Sequence, residues 1–160
     1  MISSRVTLLL SLGTIVLLMV SMDLNAGPST TDTDSPSNVV QALYRASLSH
    51  FTGFSKQSVI LVKPWLAPEL YARLWKKADE PQPKDEVPDV DGDIFLDSQE
   101  PPSRFEIGNV SADHNKATVE LKVKWPHEDR VYRVQVEQTS HGWKVYDVQF
   151  GKDGNLTDLL

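Results

Sequence analysis

The sequence predicts an α+β fold: N-terminal helices packed on a curved antiparallel four-stranded meander. Three observations carry that prediction. Val40, Leu43, Tyr44, Ser47, Leu48 and Phe51 recur at helical spacing and make one apolar face. In the second half the period changes to strict alternation, most plainly in KATVELKVKW, Lys116 to Trp125. The alternating segments are joined by short turns, PHED and TSHG, so the strands follow one another as hairpins. Helices first and a meander second is the α+β order.

The elements follow from the N-terminus. Arg5 opens a short positive head, VTLLLSLGTIVLLMV (Val6 to Val20) carries no charge, and SMDLNAG ends on the small residues Ala26 and Gly27. That layout predicts a signal peptide over residues 1–26 and a periplasmic or secreted protein. The alternative is a retained membrane anchor, because Leu24-x-Ala26 is not a clean A-x-A site; yet the run is short against the ~20 residues a bilayer requires. The chain has no cysteine, which excludes disulfides, thiolate metal sites, cysteine nucleophiles and a lipidated N-terminal cysteine. No lipid anchor is therefore expected, and membrane contact only if the apolar segment is kept. Residues 27–35 read as a flexible spacer rich in Ser, Thr and Pro, and residues 36–160 as one domain with a hydrophobic core.

Ser35 suits an N-cap and Pro36 the first helical position, so a helix is predicted from Pro36 to Thr52, before Gly53. A second is predicted from Pro68 to Ala78, with Leu66, Leu70 and Leu74 on one ridge, Tyr71 and Trp75 beside it, and Lys76 and Lys77 in the last turn. DEPQPKDEVPDVDGD then reads as a long loop. Four strands follow: RFEIGNVSA, KATVELKVKW, RVYRVQVEQTS and GWKVYDVQF. The last ten residues read as a loop with a short helical tail.

The segments VVQALYRASL, LAPEL, DGDIFLDSQEPP and GWKVYDVQF, in that order, resemble a bacterial family of exported proteins known as a domain of unknown function. The most specific pieces are Asp93 to Glu100 and Trp143 to Val148. The resemblance covers residues 36 to 160 and implies a nuclear-transport-factor-like, or cystatin-like, α+β cone. It also implies export. It implies no reaction, because that family brings no catalytic residues to carry over.

Charge is uneven. Asp79 to Glu100 holds nine acids against the single base Lys84. With no basic stripe elsewhere, nucleic-acid binding is not expected. Within DVDGDIFLDSQE, Asp89, Asp91, Asp93, Asp97 and Glu100 fall at positions 1, 3, 5, 9 and 12 of an EF-hand loop. Position 6 is Ile94 where that loop needs glycine, and prolines replace the flanking helices. The favoured reading is a structural loop in which Ile94, Phe95 and Leu96 plug into the core while Asp97, Gln99 and Glu100 satisfy backbone groups or face water. A weaker calcium site is the alternative. No other cofactor is expected.

Asp147 is a second candidate, an acid for a pocket between helix and sheet. It shares the parity of Trp143 and Val145, which points it inward unless a bulge follows Val145. His114 and His141 lie in turns at one end of the meander and His127 at the other, too scattered for a zinc site. Trp65, between prolines in KPWLAP, is a candidate contact residue.

The function expected from these residues is an exported, non-enzymatic binding protein whose acidic loop and cone surface hold an unidentified protein or small ligand. A toxin-neutralising immunity protein is a narrower form of it. A small hydrolase or isomerase using Asp147 is the enzymatic alternative, defeated if Trp143, Phe150 and Tyr44 fill the cone. Reversing Asp91 and Asp93 to Lys is expected to weaken partner capture and leave the fold intact.

Overall fold

The computed structural model describes residues 30–51, 53–81, 90 and 92–160. Helix α1 spans Pro36–Ser49. Ser35 caps it, its Oγ accepting the N–H of Asn38 at 3.2 Å, and Pro36 stands where no intrahelical donor is needed. Its buried face is Val39, Val40, Leu43, Tyr44 and Ser47. Each of the large apolar side chains stabilises the fold by about 1.5–3 kcal/mol through leaving water. The helix ends at Ser49, short of the predicted Thr52, which lies outside the described residues.

A helix that periodicity did not reveal follows. Helix α2, Lys56–Val62, is only seven residues long and buries Val59 and Val62. Its start is a reciprocal capping box: Ser55 Oγ accepts Ser58 N–H at 3.2 Å and Ser58 Oγ accepts Ser55 N–H at 2.9 Å. A tight 3-10 turn, Lys63–Trp65, leads into α3, Pro68–Lys77. Leu70 and Leu74 of α3 are buried, and Tyr71 and Trp75 are half-buried beside the core, on the ridge the sequence predicts.

The four strands are β1 (Arg104–Asp113), β2 (Lys116–Lys124), β3 (Asp129–Thr139) and β4 (Gly142–Gln149). They pair antiparallel in chain order, as the meander requires. Alternation gives the sheet one dry face, made of Ala117, Val119, Leu121, Val123, Tyr132, Val134, Val136, Trp143 and Val145, all buried. Helix α1 contacts all four strands on that face, and its side chains join theirs in one core.

Two bulges break the ladders. In β1 the register steps from Ile107↔Leu121 to Val110↔Val119, so Gly108 and Asn109 together oppose Glu120. A Cβ on Gly108 would stand 2.5 Å from Glu120 Oε1, so a larger residue there would make the flexible Glu120 side chain swing aside. In β4 the register steps from Val136↔Val145 to Gln135↔Asp147, leaving Tyr146 as the extra residue. A bulge bends its strand and increases local twist. The free edge of β4 is partly covered: Leu66 bridges Val145, Ala67 N–H donates to Val145 C=O at 2.7 Å, and Asn155 bridges Gln149. Among the described residues no helix is long and apolar enough to cross a membrane.

Candidate functional site

The acidic segment is pinned between Asp93 and Ser98. Asp93 and Ser98 form a two-residue bridge, with Asp93 N–H donating to Ser98 C=O at 2.8 Å. Between them Ile94, Phe95 and Leu96 are 3%, 4% and 0% exposed, the apolar plug expected from the sequence. Burying three consecutive residues strands their carbonyls unless partners are found. Two tyrosines of the core supply partners for two of the three: Tyr44 O–H donates to Phe95 C=O at 2.9 Å and Tyr132 O–H to Leu96 C=O at 2.7 Å.

The far side of the loop is tied to the β2–β3 hairpin. Arg130 Nη1 donates to Asp97 C=O at 3.2 Å, and Trp125 Nε1 to Glu100 C=O at 2.9 Å. Arg130 also lies over the Trp125 ring at 5.0 Å and pairs with Glu128. Two backbone positions make the turn: Gly92 at φ 105° and Asp97 at φ 45°. Aspartate is among the few non-glycine residues that tolerate that region.

Asp93 does not stand on the surface. It is 9% exposed; its Oδ1 accepts Phe95 N–H at 2.8 Å and its Oδ2 accepts the Ser47 hydroxyl of α1. Burial pushes its carboxyl above the ordinary range, against the lowering effect of the bonds from Ser47, Phe95 and Leu96. Burial, and then the nearby Asp93 charge, likewise push the Tyr44 hydroxyl well up. Asp93 is thus the joint that locks the loop to α1, and the expectation that Asp93→Lys spares the fold is corrected: lysine there loses the acceptors of Phe95 N–H and the Ser47 hydroxyl and buries a charge with no carboxylate in its place. The cleft beside it, lined by Ser47, His50, Phe54, Ser58 and Val59, has a volume of about 10 Å³, the threshold for one water molecule.

The remaining acids divide. Asp79 pairs with Lys56, and Glu80 with Lys77 at 2.9 Å, so the head of the segment is partly neutralised. Asp97 and Glu100 are exposed at its tail. Asp89 and Asp91 lie outside the described residues. In the calcium reading Asp93 would be the fifth-position ligand, but both its oxygens are engaged within the protein. Among the described residues no three His, Asp or Glu side chains gather as a metal site.

Asp147 is turned by the bulge. Its partner across the ladder is Gln135, on the wet face, while Val148 takes the buried place that parity assigned to Asp147. Its Oδ1 accepts Val148 N–H at 2.9 Å and Thr157 N–H at 3.1 Å, holding the C-terminal 3-10 turn, Leu156–Leu159, against β4. It borders a shallow outer groove with Arg73, Lys116, Glu137 and Tyr146. The inward position expected from strand parity is therefore corrected. The interior between helices and sheet holds Tyr44, Trp143 and Phe150, which are 0%, 9% and 3% exposed.

Trp65 is half-buried and lines an open groove on the outer side of α1 with Gln41, Ala42 and Arg45. Its Nε1 is shut from solvent without a hydrogen-bond partner. Sequence reasoning missed the anchors Ser47, Tyr132, Trp125 and Arg130. A signal existed: tyrosine and tryptophan on a buried strand face need a partner for their polar tips.

No protein-family model matches the chain, and a search of curated proteins finds no match. Among solved structures, the chain is similar to the phospholipid-binding protein from Ralstonia solanacearum in complex with a phospholipid. The TM-score is 0.49 at 14% identity, covering 76% of this chain and 80% of that one.

Proposed function

We propose that this chain is an exported, non-enzymatic binding protein of the periplasm or cell exterior, and that its recognition surface is the acidic segment ending at Asp97 and Glu100. The carrying observation is the anchoring of its described part, Asp93 to Glu100. That stretch is tied to α1, β2 and β3 by its backbone through Tyr44, Tyr132, Trp125 and Arg130 and by the Asp93 carboxylate through Ser47, while the Asp97 and Glu100 carboxylates stay in water. A stretch tied at so many points loses little entropy on binding. Its charge suits a basic partner surface, and the burial of Tyr44, Trp143 and Phe150 between helices and sheet supports a contact on the outside of the domain. An immunity protein covering a basic toxin cleft is the narrower form of the same reading.

Affinity capture from cell extract with mass spectrometry tests it. The protein is compared with a variant carrying Asp97→Asn and Glu100→Gln, the asparagine chosen because it accepts a positive φ. Partners should fall away in the variant and at raised salt, with the thermal midpoint unchanged. Recovery of the same partners by the variant would show that this segment is not the contact surface.

A further inference from the structure

The two edges of the sheet are treated differently. The edge of β4 is bridged by Leu66 and Asn155, whereas among the described residues no strand or bridge pairs with the outer edge of β1. An end strand of ten residues displays a row of unpaired N–H and C=O groups, a template for another strand. Its C-terminal half, Asn109 to Asp113, is exposed throughout. Val110 pairs with the core residue Val119, yet is itself 43% exposed.

The bulge decides which strand fits. Before it, Phe105 and Ile107 face the dry side, opposite Val123 and Leu121. After it, Val110 and Ala112 do, opposite Val119 and Ala117. The parity has switched from odd to even. An added antiparallel strand must set dry side against dry side, since a slip of one residue inverts every side chain. A second β1, turned about a two-fold axis between Gly108 and Asn109, meets that condition along its length. Ile107 then opposes the partner's Val110 and Phe105 opposes the partner's Ala112. On the wet side Arg104 opposes the partner's Asp113 and Glu106 opposes the partner's Ser111. Opposite charges meet at both ends, and the exposed Val110 is covered. We propose that β1 is a self-pairing edge by which two copies of this chain join into one continuous antiparallel sheet.

Sedimentation analysis of the purified protein over a concentration series tests the pairing. A monomer–dimer equilibrium is expected. Arg104→Asp or Asp113→Arg alone should weaken it by about tenfold, because symmetry spoils both copies of the ion pair at once. The double variant should restore it, since the pair is then merely reversed. Val110→Lys, which sets a charge against the partner's Ile107, should leave a monomer. These side chains are exposed, so thermal midpoints should not move, and a melt of each variant checks that. A single monomeric species at the highest soluble concentration overturns the proposal and leaves the edge to a strand of another protein. A dimer indifferent to Val110→Lys and to the charge exchanges overturns it equally.

Discussion

Replacing Asp93 by Ala and by Asn separates its two physical roles. Both variants remove the charge, but only Asn keeps an oxygen for Phe95 N–H and offers an amide to Ser47 Oγ. In the Ala variant the Phe95 N–H, 2.8 Å from Oδ1 in the native loop, is left without its acceptor, and the hydroxyl of Ser47, 7% exposed, loses its own. An unsatisfied buried polar group costs about 1–3 kcal/mol, and the serine recovers part by turning to a carbonyl of its own helix. Asp93→Ala should therefore be less stable than Asp93→Asn by about 2–4 kcal/mol in urea unfolding. The pH dependence has its own sign. Burial raises the folded-state pKa of Asp93, so its contribution to stability is complete below its unfolded value of about 3.9 and is lost as pH rises through the folded value. The stability of Asp93→Asn relative to the native protein should accordingly grow from acidic toward neutral pH and then level off. Ala and Asn variants within about 0.5 kcal/mol of each other, or a native protein that gains on Asp93→Asn as pH rises, would refute the assignment of Asp93 as the buried joint of the loop.

Gly92→Ala should destabilise by about 2 kcal/mol or more, because its φ is 105° and the new Cβ would collide with the backbone carbonyl of Ser98; a thermal melt reads the loss, and an unshifted midpoint contradicts this turn. Asp147→Ala should free the C-terminal turn, costing about 1 kcal/mol and raising amide exchange at Thr157 and its neighbours, while Asp147→Asn should keep both. Unchanged exchange in the Ala variant would mean that the tail is held by Leu156, fully buried, and not by the carboxylate.

Local periodicity carried most of the fold. The α1 stripe and the alternation of β2, β3 and β4 are repeated choices of apolar or polar residue over ten or so positions, and one misplaced residue does not erase such a pattern. The plug was legible too, since Ile94, Phe95 and Leu96 are strongly apolar in an otherwise acidic stretch. Helix α2 escaped because seven residues give barely two turns, although Ser55 and Ser58 carried its capping signal.

What the sequence by itself determined was the order of elements and which faces had to be dry, because both follow from spacing along the chain. Only the tertiary structure decided the fate of the two acids that look most functional. Asp93 is drawn inside because Ser47 and Phe95 N–H, one distant in sequence, meet its oxygens there. Asp147 is turned outward because Tyr146 bulges from the ladder. A carboxylate takes its role from the donors around it, and long-range packing, not neighbouring letters, brings those donors within reach.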